Sequence, residues 1–330
     1  MLDTKHKKAF NKIKAANNIL LVTHYRPDGD ALASICAMGE ILVSLGFKTQ
    51  ANPQEKQYTP FCKDQPPAPH SFLPGIEKIT SDRAQLDFSS FDLIIALDCG
   101  ELSRTALVDE ITARSRNQTV IEFDHHPGVD DYAELEIRDP EISSTSELLY
   151  DFCRANKIKI SKNIATCVLT GILTDTGNLM YDNTSEKTIK IASDMLVYGA
   201  RFPTILGNTQ RNKSIGGMKI WGIAMHRLSI NKKYNIASTI LTRKDFIDTG
   251  ASDEELEGVP GYLSNLAETD AILFLREMED GKLKGSLRST SDKVDVSALA
   301  RKLGGGGHAK ASAFMLDAKL VKVGDGYRVE

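Results

Sequence analysis

The stretch NILLVTHYRPDGDALASICAMGEILVSLGF, residues 18 to 47, opens with a short apolar run from Asn18 to Thr23 and continues from Asp30 to Phe47 with apolar residues at helical spacing. A short β-rich run followed by a 3.6-residue period is one βα unit. At its junction stand His24, Asp28 and Asp30. Two later runs read alike: FDLIIALDCG (91–100) carries Asp98 near its end, and TVIEFDHHPG (119–128) carries Asp124, His125 and His126. Near-continuous apolar strands are buried on both faces, as in parallel sheets covered by helices, and such sheets bind ligands outside the carboxyl ends of their strands. The expected fold class is therefore α/β, a parallel sheet with helices on both faces and the clusters on one rim.

From STSELLYDFCRAN (144–156) through SEKTIKIASDMLVYGA (185–200) the pattern turns helical, with Ser143 to Ser146 and Ser185 as cap regions. Within it, TGILTDTGNL (170–179) offers Asp175. Mixed helical signals broken by Pro203 and Gly216-Gly217 make 201–232 a connecting region. Beyond it, 233–241, 271–278 and 282–290 read as strands, the last two joined by the turn EDGK. The expected organisation is a first domain over 1–200, the connector 201–232, and a smaller α/β domain over 233–330.

With 41 basic against 44 acidic side chains, a net charge of -3, the chain has no global basic field for duplex DNA. A local site for a small anion stays open. The five cysteines are odd in number and form no CxxC pair, which argues for reduced thiols and a cytoplasmic setting. No segment approaches the roughly 18 consecutive apolar residues of a membrane span, so no membrane partner is expected. His70 and the single tryptophan, Trp221, read as loop and core.

A bare cluster of His24, Asp28, Asp30, Asp98, Asp124, His125, His126 and Asp175 would repel itself. Hard divalent cations remove that penalty, because carboxylate oxygens and neutral imidazoles are what such ions accept. There are more ligands than one ion needs, so two ions bridged by a carboxylate is the economical reading, and two-metal centres suit in-line phosphoryl displacement.

These residues resemble the motifs of the DHH phosphoesterases, in order: HYRPDGDA, ALDCGELSRT, DHHPG and GILTDTGNL. The resemblance implies that His24, Asp28 and Asp98 ligate one metal, and Asp30, Asp98, His125 and Asp175 the other, with Asp98 as bridge. It also implies that His126 meets the scissile phosphate and that Asp124 orients the histidines. Arg104, six residues after Asp98, reads either as facing the site or as a surface arginine.

KGSLRSTSDKVDVSALARKLGGGGHAKASAF (284–314) resembles the DHH-associated domain of the nanoRNase/pAp phosphatase subgroup. Its chemistry also reads without the name: Gly304, Gly305, Gly306 and Gly307 let backbone N–H groups approach an anion, and Arg288, with Ser289 beside it, and His308 can donate to phosphate. Ala311-Ser312-Ala313 stands where the family has Ala-Ala-Gly, a departure bearing on the local turn. By resemblance the active site lies in an interdomain cleft, the cofactors are two divalent ions, manganese ahead of magnesium, iron or cobalt, and the substrates are short RNA, dinucleotides above all, and pAp. The rivals are a cyclic-di-AMP or linear pApA phosphodiesterase, a RecJ-like exonuclease, a family II pyrophosphatase and a non-catalytic nucleotide sensor. A homodimer is left open.

Overall fold

The structure is a computed structural model describing residues 2–49, 55–128, 131–256, 258–324 and 326–330. Two compact units divide between Asn212 and Lys213.

The first unit runs α1 (Leu2–Ala15), β1 (Asn18–Val22), α2 (Gly29–Ser44), β2 (Gln57–Phe61), β3 (Leu93–Leu97), α3 (Val108–Thr112), β4 (Thr119–Asp124), β5 (Leu135–Arg138), α4 (Thr145–Ala155), α5 (Lys162–Asp175), α6 (Glu186–Val197) and α7 (Phe202–Thr209). All five strands are parallel, in the order β2-β1-β3-β4-β5. Alternate strand residues feed two cores. Ile19, Leu21, Leu93, Ile95, Ile121 and Phe123 pack under the helical layer of α1, α2, α4 and α5, while Leu20, Val22, Ile94, Ala96 and Val120 face Leu107 and Ile111 around α3. Such double burial explains the continuous apolar runs. Strands β2, which contains Pro60, and β5 are the edges, where proline and polar residues are tolerated.

This order reverses direction between β1 and β3, because β1 connects outward to β2 on one side while β3 begins the other. A crevice opens at such a reversal, above the carboxyl ends of the two strands. His24 follows β1 and Asp98 follows β3, so the topology itself brings them together.

The second unit holds α8 (Ile215–His226), β6 (Ser229–Asn231), β7 (Ile236–Leu241), α9 (Arg243–Thr249), α10 (Val259–Leu263), β8 (Ala271–Glu277), β9 (Leu283–Ser289), α11 (Val296–Lys302), β10 (Gly306–Gly307), β11 (Ala311–Leu316), β12 (Leu320–Val323) and β13 (Gly326–Val329). Its mixed sheet runs β10-β11-β9-β8-β7-β6, with β7 and β8 parallel and the other pairs antiparallel. The EDGK turn closes the β8–β9 hairpin with Gly281 at φ 80°. Within 201–232, Ile205 of α7 belongs to the first unit's core and Ile220 of α8 to a core of the second.

Candidate metal centre

Asp28 caps α2: its Oδ1 accepts the N–H groups of Asp30 at 3.1 Å and Ala31 at 3.0 Å. That cap leaves Oδ2 3.7 Å from His24 Nε2. His24 is buried, and its Nδ1 lies 2.8 Å from the Tyr25 carbonyl, a contact that needs the proton on Nδ1. Nε2 then carries a lone pair, and it is buried without a hydrogen-bond partner among the described residues.

Asp98 leaves β3 at φ 60°, in the left-handed region, while its N–H still bonds the Phe123 carbonyl at 2.9 Å. The turn swings its buried carboxylate into the crevice. Oδ2 lies 4.0 Å from His24 Nε2, and Oδ1 lies 3.6 Å from both His125 Nε2 and His126 Nδ1. Asp175, the last residue of α5, places Oδ2 3.6 Å from His125 Nε2. These gaps exceed hydrogen-bonding length. They suit ligands sharing an ion, since donors each about 2–2.2 Å from a cation stand about 3–4 Å apart. Two ligand groups result, His24–Asp28–Asp98 and Asp98–His125–His126, with Asp98 in both.

Asp30 has a further duty that the sequence does not disclose. Its Oδ2 accepts the Thr145 N–H at 2.7 Å, and its Oδ1 accepts the Ser146 N–H at 3.1 Å and Ser34 Oγ at 3.4 Å. With Ser144 Oγ on the Glu147 N–H at 3.2 Å, the open donors of the first turn of α4 are closed. Gly171 makes the approach possible, because a Cβ there would stand 2.0 Å from Ser146 Oγ and 2.2 Å from Asp30 Oδ1.

Asp124 is fully buried and bears on His126, its Oδ1 accepting both His126 N and His126 Nδ1 at 2.8 Å while Oδ2 accepts Gly100 N at 2.5 Å. Asp124 is expected to orient both histidines; among the described residues its hydrogen bonds reach His126. Arg138, which no sequence motif marks, steadies the same loop through Nη1 to the His126 carbonyl at 2.7 Å and Nη2 to Glu122 at 2.6 Å. Arg104 and His126 both lie close to Gly100: a Cβ there would meet Arg104 Nη1 at 3.2 Å and the His126 ring at 3.6 Å.

The electrostatics match a site built for cations. Burial, then the nearby charges of Asp30, Asp28, Asp124 and Asp175, push the Asp98 carboxyl well above its usual range. Burial, offset by His125 and reinforced by Asp30 and Asp28, pushes Asp175 up to about 8. Burial likewise raises Asp30. His125 is raised because Asp175, Asp30 and Asp124 outweigh its burial, whereas for Asp124 the hydrogen bonds and charge of His126 overcome burial and hold it at about 2. The carboxylates around Asp98 thus carry more negative charge than the site can keep ionised by itself. The donor set and the partnerless Nε2 of His24 fit a divalent ion.

On the second unit, Arg288 and Ser289 end β9, the Arg288 Nη1 donating to the Leu287 carbonyl at 2.9 Å and the buried Ser289 Oγ to the Ser291 carbonyl at 2.6 Å. The glycine run is not an open row of donors. Gly304, at φ 75°, gives its N–H to the Arg301 carbonyl at 3.2 Å and Gly305 to Ala300 at 2.8 Å, a Schellman close to α11. His308 N–H bonds the Ala311 carbonyl at 2.8 Å, and Gly306 and Gly307 form the edge strand against Ala313 and Ser312. Close approach is what Gly305 and Gly307 serve: a Cβ on Gly305 would stand 2.1 Å from the Ala313 carbonyl oxygen, and one on Gly307 2.6 Å from that of Ala311. Ser312, which with Ala313 makes the departure from Ala-Ala-Gly, pins this hairpin through Oγ to the His308 carbonyl at 2.7 Å. The His308 side chain is exposed.

Residues 18–172 match the model of the DHH family, N-terminal domain, and residues 232–323 match the DHHA1 domain. The chain belongs to the DHH family of phosphoesterases. Its first match contains His24, Asp28, Asp30, Asp98 and the Asp124–His126 triplet; its second contains Arg288 and the glycine run. The chain is similar to the bifunctional oligoribonuclease and PAP phosphatase NrnA of Bacillus subtilis (strain 168), at 27% identity over 91% of this chain and 90% of that protein. It is also similar to the protein of the same name from Thermus thermophilus, at 29% identity over 90% of this chain and 84% of that protein. Among solved structures, an exopolyphosphatase-related protein from Bacteroides fragilis aligns at TM-score 0.84 and 26% identity, covering 95% of this chain and 91% of that one. RecJ of Thermus thermophilus, in complex with Mn2+, shares the fold at TM-score 0.56 and 13% identity, covering 96% of this chain and 52% of that one. The chain is a hydrolase of phosphoesters. No helix among its described residues is long and apolar enough to cross a membrane.

Proposed function

We propose that this chain hydrolyses short oligoribonucleotides, dinucleotides above all, and pAp, using two divalent ions of which manganese is the native one. The observation that carries the reading is the division of Asp98, one oxygen toward His24 and the other toward His125 and His126. His24, Asp28 and Asp98 would hold one ion; Asp98, His125 and Asp175 would hold the other, joined by Asp30 through the lone pairs its main-chain contacts do not use. Ions bound there supply Lewis-acid stabilisation of charge on the phosphoryl oxygens and make water a nucleophile near neutral pH. The carboxylate and imidazole donors support manganese over softer ions.

The chain's own groups do the rest. Asp124 holds the His126 ring through Nδ1, which directs Nε2 to the phosphate oxygen that leaves and gives it a proton. Arg104 neutralises the phosphate from the side of Gly100. Arg288 and His308 bind a second phosphate, through side chains rather than through the N–H groups of Gly304 and Gly305; Ser289, expected beside them, has its one hydroxyl proton on the Ser291 carbonyl and steadies the turn instead, and Gly306 and Gly307 form the edge strand next to His308. The names of the relatives from Bacillus subtilis and Thermus thermophilus support the substrates, and five buried free cysteines support a cytoplasmic setting. A panel of pAp, dinucleotides, longer RNA and DNA, cyclic and linear di-AMP and pyrophosphate at fixed manganese tests it. Dinucleotides and pAp turning over fastest is the expected result; turnover confined to cyclic or linear di-AMP overturns it.

A further inference from the structure

Thr145 touches two deeply buried carboxylates of the centre at once. Its N–H gives the 2.7 Å bond to Asp30 Oδ2, and its hydroxyl donates to Asp98 Oδ1 at 2.8 Å. Thr145, Asp30 and Asp98 are each at most 1% exposed.

These two contacts differ in what they ask of the sequence. Any residue other than proline would supply the N–H at the first position of α4, so the bond to Asp30 is a property of the helix end. The bond to Asp98 needs a hydroxyl. The three imidazoles around the Asp98 carboxylate stand at 3.6 to 4.0 Å, whereas the Thr145 hydroxyl is at full hydrogen-bonding distance. Asp98 also sits on left-handed backbone at φ 60°, which fixes where its side chain leaves the chain but not how its carboxylate is rotated. A hydroxyl that spends its proton on Oδ1 sets that rotation.

We propose that Thr145 is the positioning residue of the centre: its hydroxyl turns Asp98 so that Oδ2 faces His24 and Oδ1 faces His125. The role rests on the two-ion reading above and extends it to a side chain that touches neither substrate nor metal. The end of α4 is thereby a jig for two carboxylates, its amides holding Asp30 and its first side chain holding Asp98. Ser146 completes it, with Oγ 3.0 Å from Ser34 Oγ while its N–H holds Asp30 Oδ1. Gly171 keeps the space open from α5. In the sequence, Thr145 is hidden inside SSTSE, where a run of hydroxyl residues reads simply as a helix cap.

The test is Mn2+ binding to the metal-stripped full chain, followed by calorimetry, for the wild type and for Thr145→Ser, Thr145→Val and Thr145→Ala. Valine keeps the shape and removes the donor; serine keeps the donor and removes the methyl. The expected result is binding in the serine variant within about twofold of wild type, and at least about tenfold weaker in the valine and alanine variants, the loss of one hydrogen bond to a charged group. Dinucleotide hydrolysis by the valine variant should climb with Mn2+ over a range where the wild type is already saturated, with KM for the dinucleotide unchanged. Wild-type affinity in the valine or alanine variant overturns the proposal. So does a folded serine variant that binds Mn2+ at least about tenfold more weakly than wild type, which would make packing the cause; this arm is read against wild type and decides the matter even if the valine and alanine chains fail to fold. A folded wild type that binds no Mn2+ strikes the two-ion reading itself and removes the proposal with it.

Discussion

His24 Nε2 faces Asp98 Oδ2 across 4.0 Å, the nitrogen without a hydrogen-bond partner among the described residues and both side chains almost wholly buried. An imidazole lone pair turned toward a carboxylate oxygen is unfavourable unless a cation stands between them. The pH response of the metal-free chain follows. Asp98 and Asp175 are both raised, Asp175 to about 8. A carboxyl that binds its proton more tightly when folded lowers stability as pH rises from its unfolded value, about 4, to its folded one. The raised His125 acts in the same sense above its unfolded value, about 6.5, and the depressed Asp124 acts only at pH below about 4. The buried His6 and His70, both lowered by burial, act in the opposite sense below their unfolded value of about 6.5, so the window free of them runs from about pH 6.5 to pH 8: there the metal-free chain should melt at progressively lower temperature, and Mn2+ should raise the melting temperature most at pH 8, where protons no longer compete. Melting curves with chelator and with Mn2+ check this; a metal-free melting temperature that rises over the same range contradicts it.

Arg288→Ala and His308→Ala should each raise KM for a 5′-phosphorylated dinucleotide while leaving bound metal unchanged. Loss of one charge-assisted contact to phosphate costs about 1.5–3 kcal/mol, roughly ten- to a hundredfold in affinity. Steady-state kinetics with elemental analysis of the same samples separates the two effects. An unchanged KM in both variants removes these residues from substrate binding.

Gly171→Ala pushes a methyl to 2.0 Å from Ser146 Oγ, 2.2 Å from Asp30 Oδ1 and 2.6 Å from Ser146 Cβ, and the last separation does not depend on how the serine side chain is turned. Overpacking of this kind costs about 1–3 kcal/mol. The variant should unfold at lower denaturant concentration and bind Mn2+ more weakly. Stability equal to wild type would show that α5 can retreat from α4 without penalty.

Strands β1, β3 and β4 and the clusters at their ends were legible because burial on both faces writes an unbroken apolar run, and because His24, Asp98 and Asp124–His126 stand directly where those runs stop. Strand β2, with Pro60 in QYTPF, was not, since an edge strand carries no such run. Thr145 and Asp30 escaped for a different reason: their partnership joins residues 115 apart in the chain, and each local pattern is satisfied by a simpler reading, a cap for one and a ligand for the other. The glycine run shows the converse failure. Gly304 and Gly305 invite an anion in the sequence, yet their N–H groups close α11. Sequence shows which donors exist and not which are already spent.

Turnover should fall steeply with substrate length. A net charge of -3 gives no global cationic field to hold a long strand. We expect kcat/KM for a two-nucleotide RNA to exceed that for a ten-nucleotide RNA by at least about tenfold, about 1.4 kcal/mol. Equal or faster processive degradation of the longer strand contradicts the preference and favours a RecJ-like exonuclease.

The most direct measurement is Mn2+ stoichiometry and electron paramagnetic resonance on the wild type and on Asp98→Ala. Two ions sharing one carboxylate lie about 3.5–4 Å apart, close enough for their spins to couple. The wild type should bind two ions per chain with a coupled spectrum. Asp98→Ala should lose the coupling, bind fewer ions than any other single-ligand variant, and lose hydrolysis. Two ions per chain and normal turnover in Asp98→Ala would contradict the shared carboxylate on which the account of this centre stands.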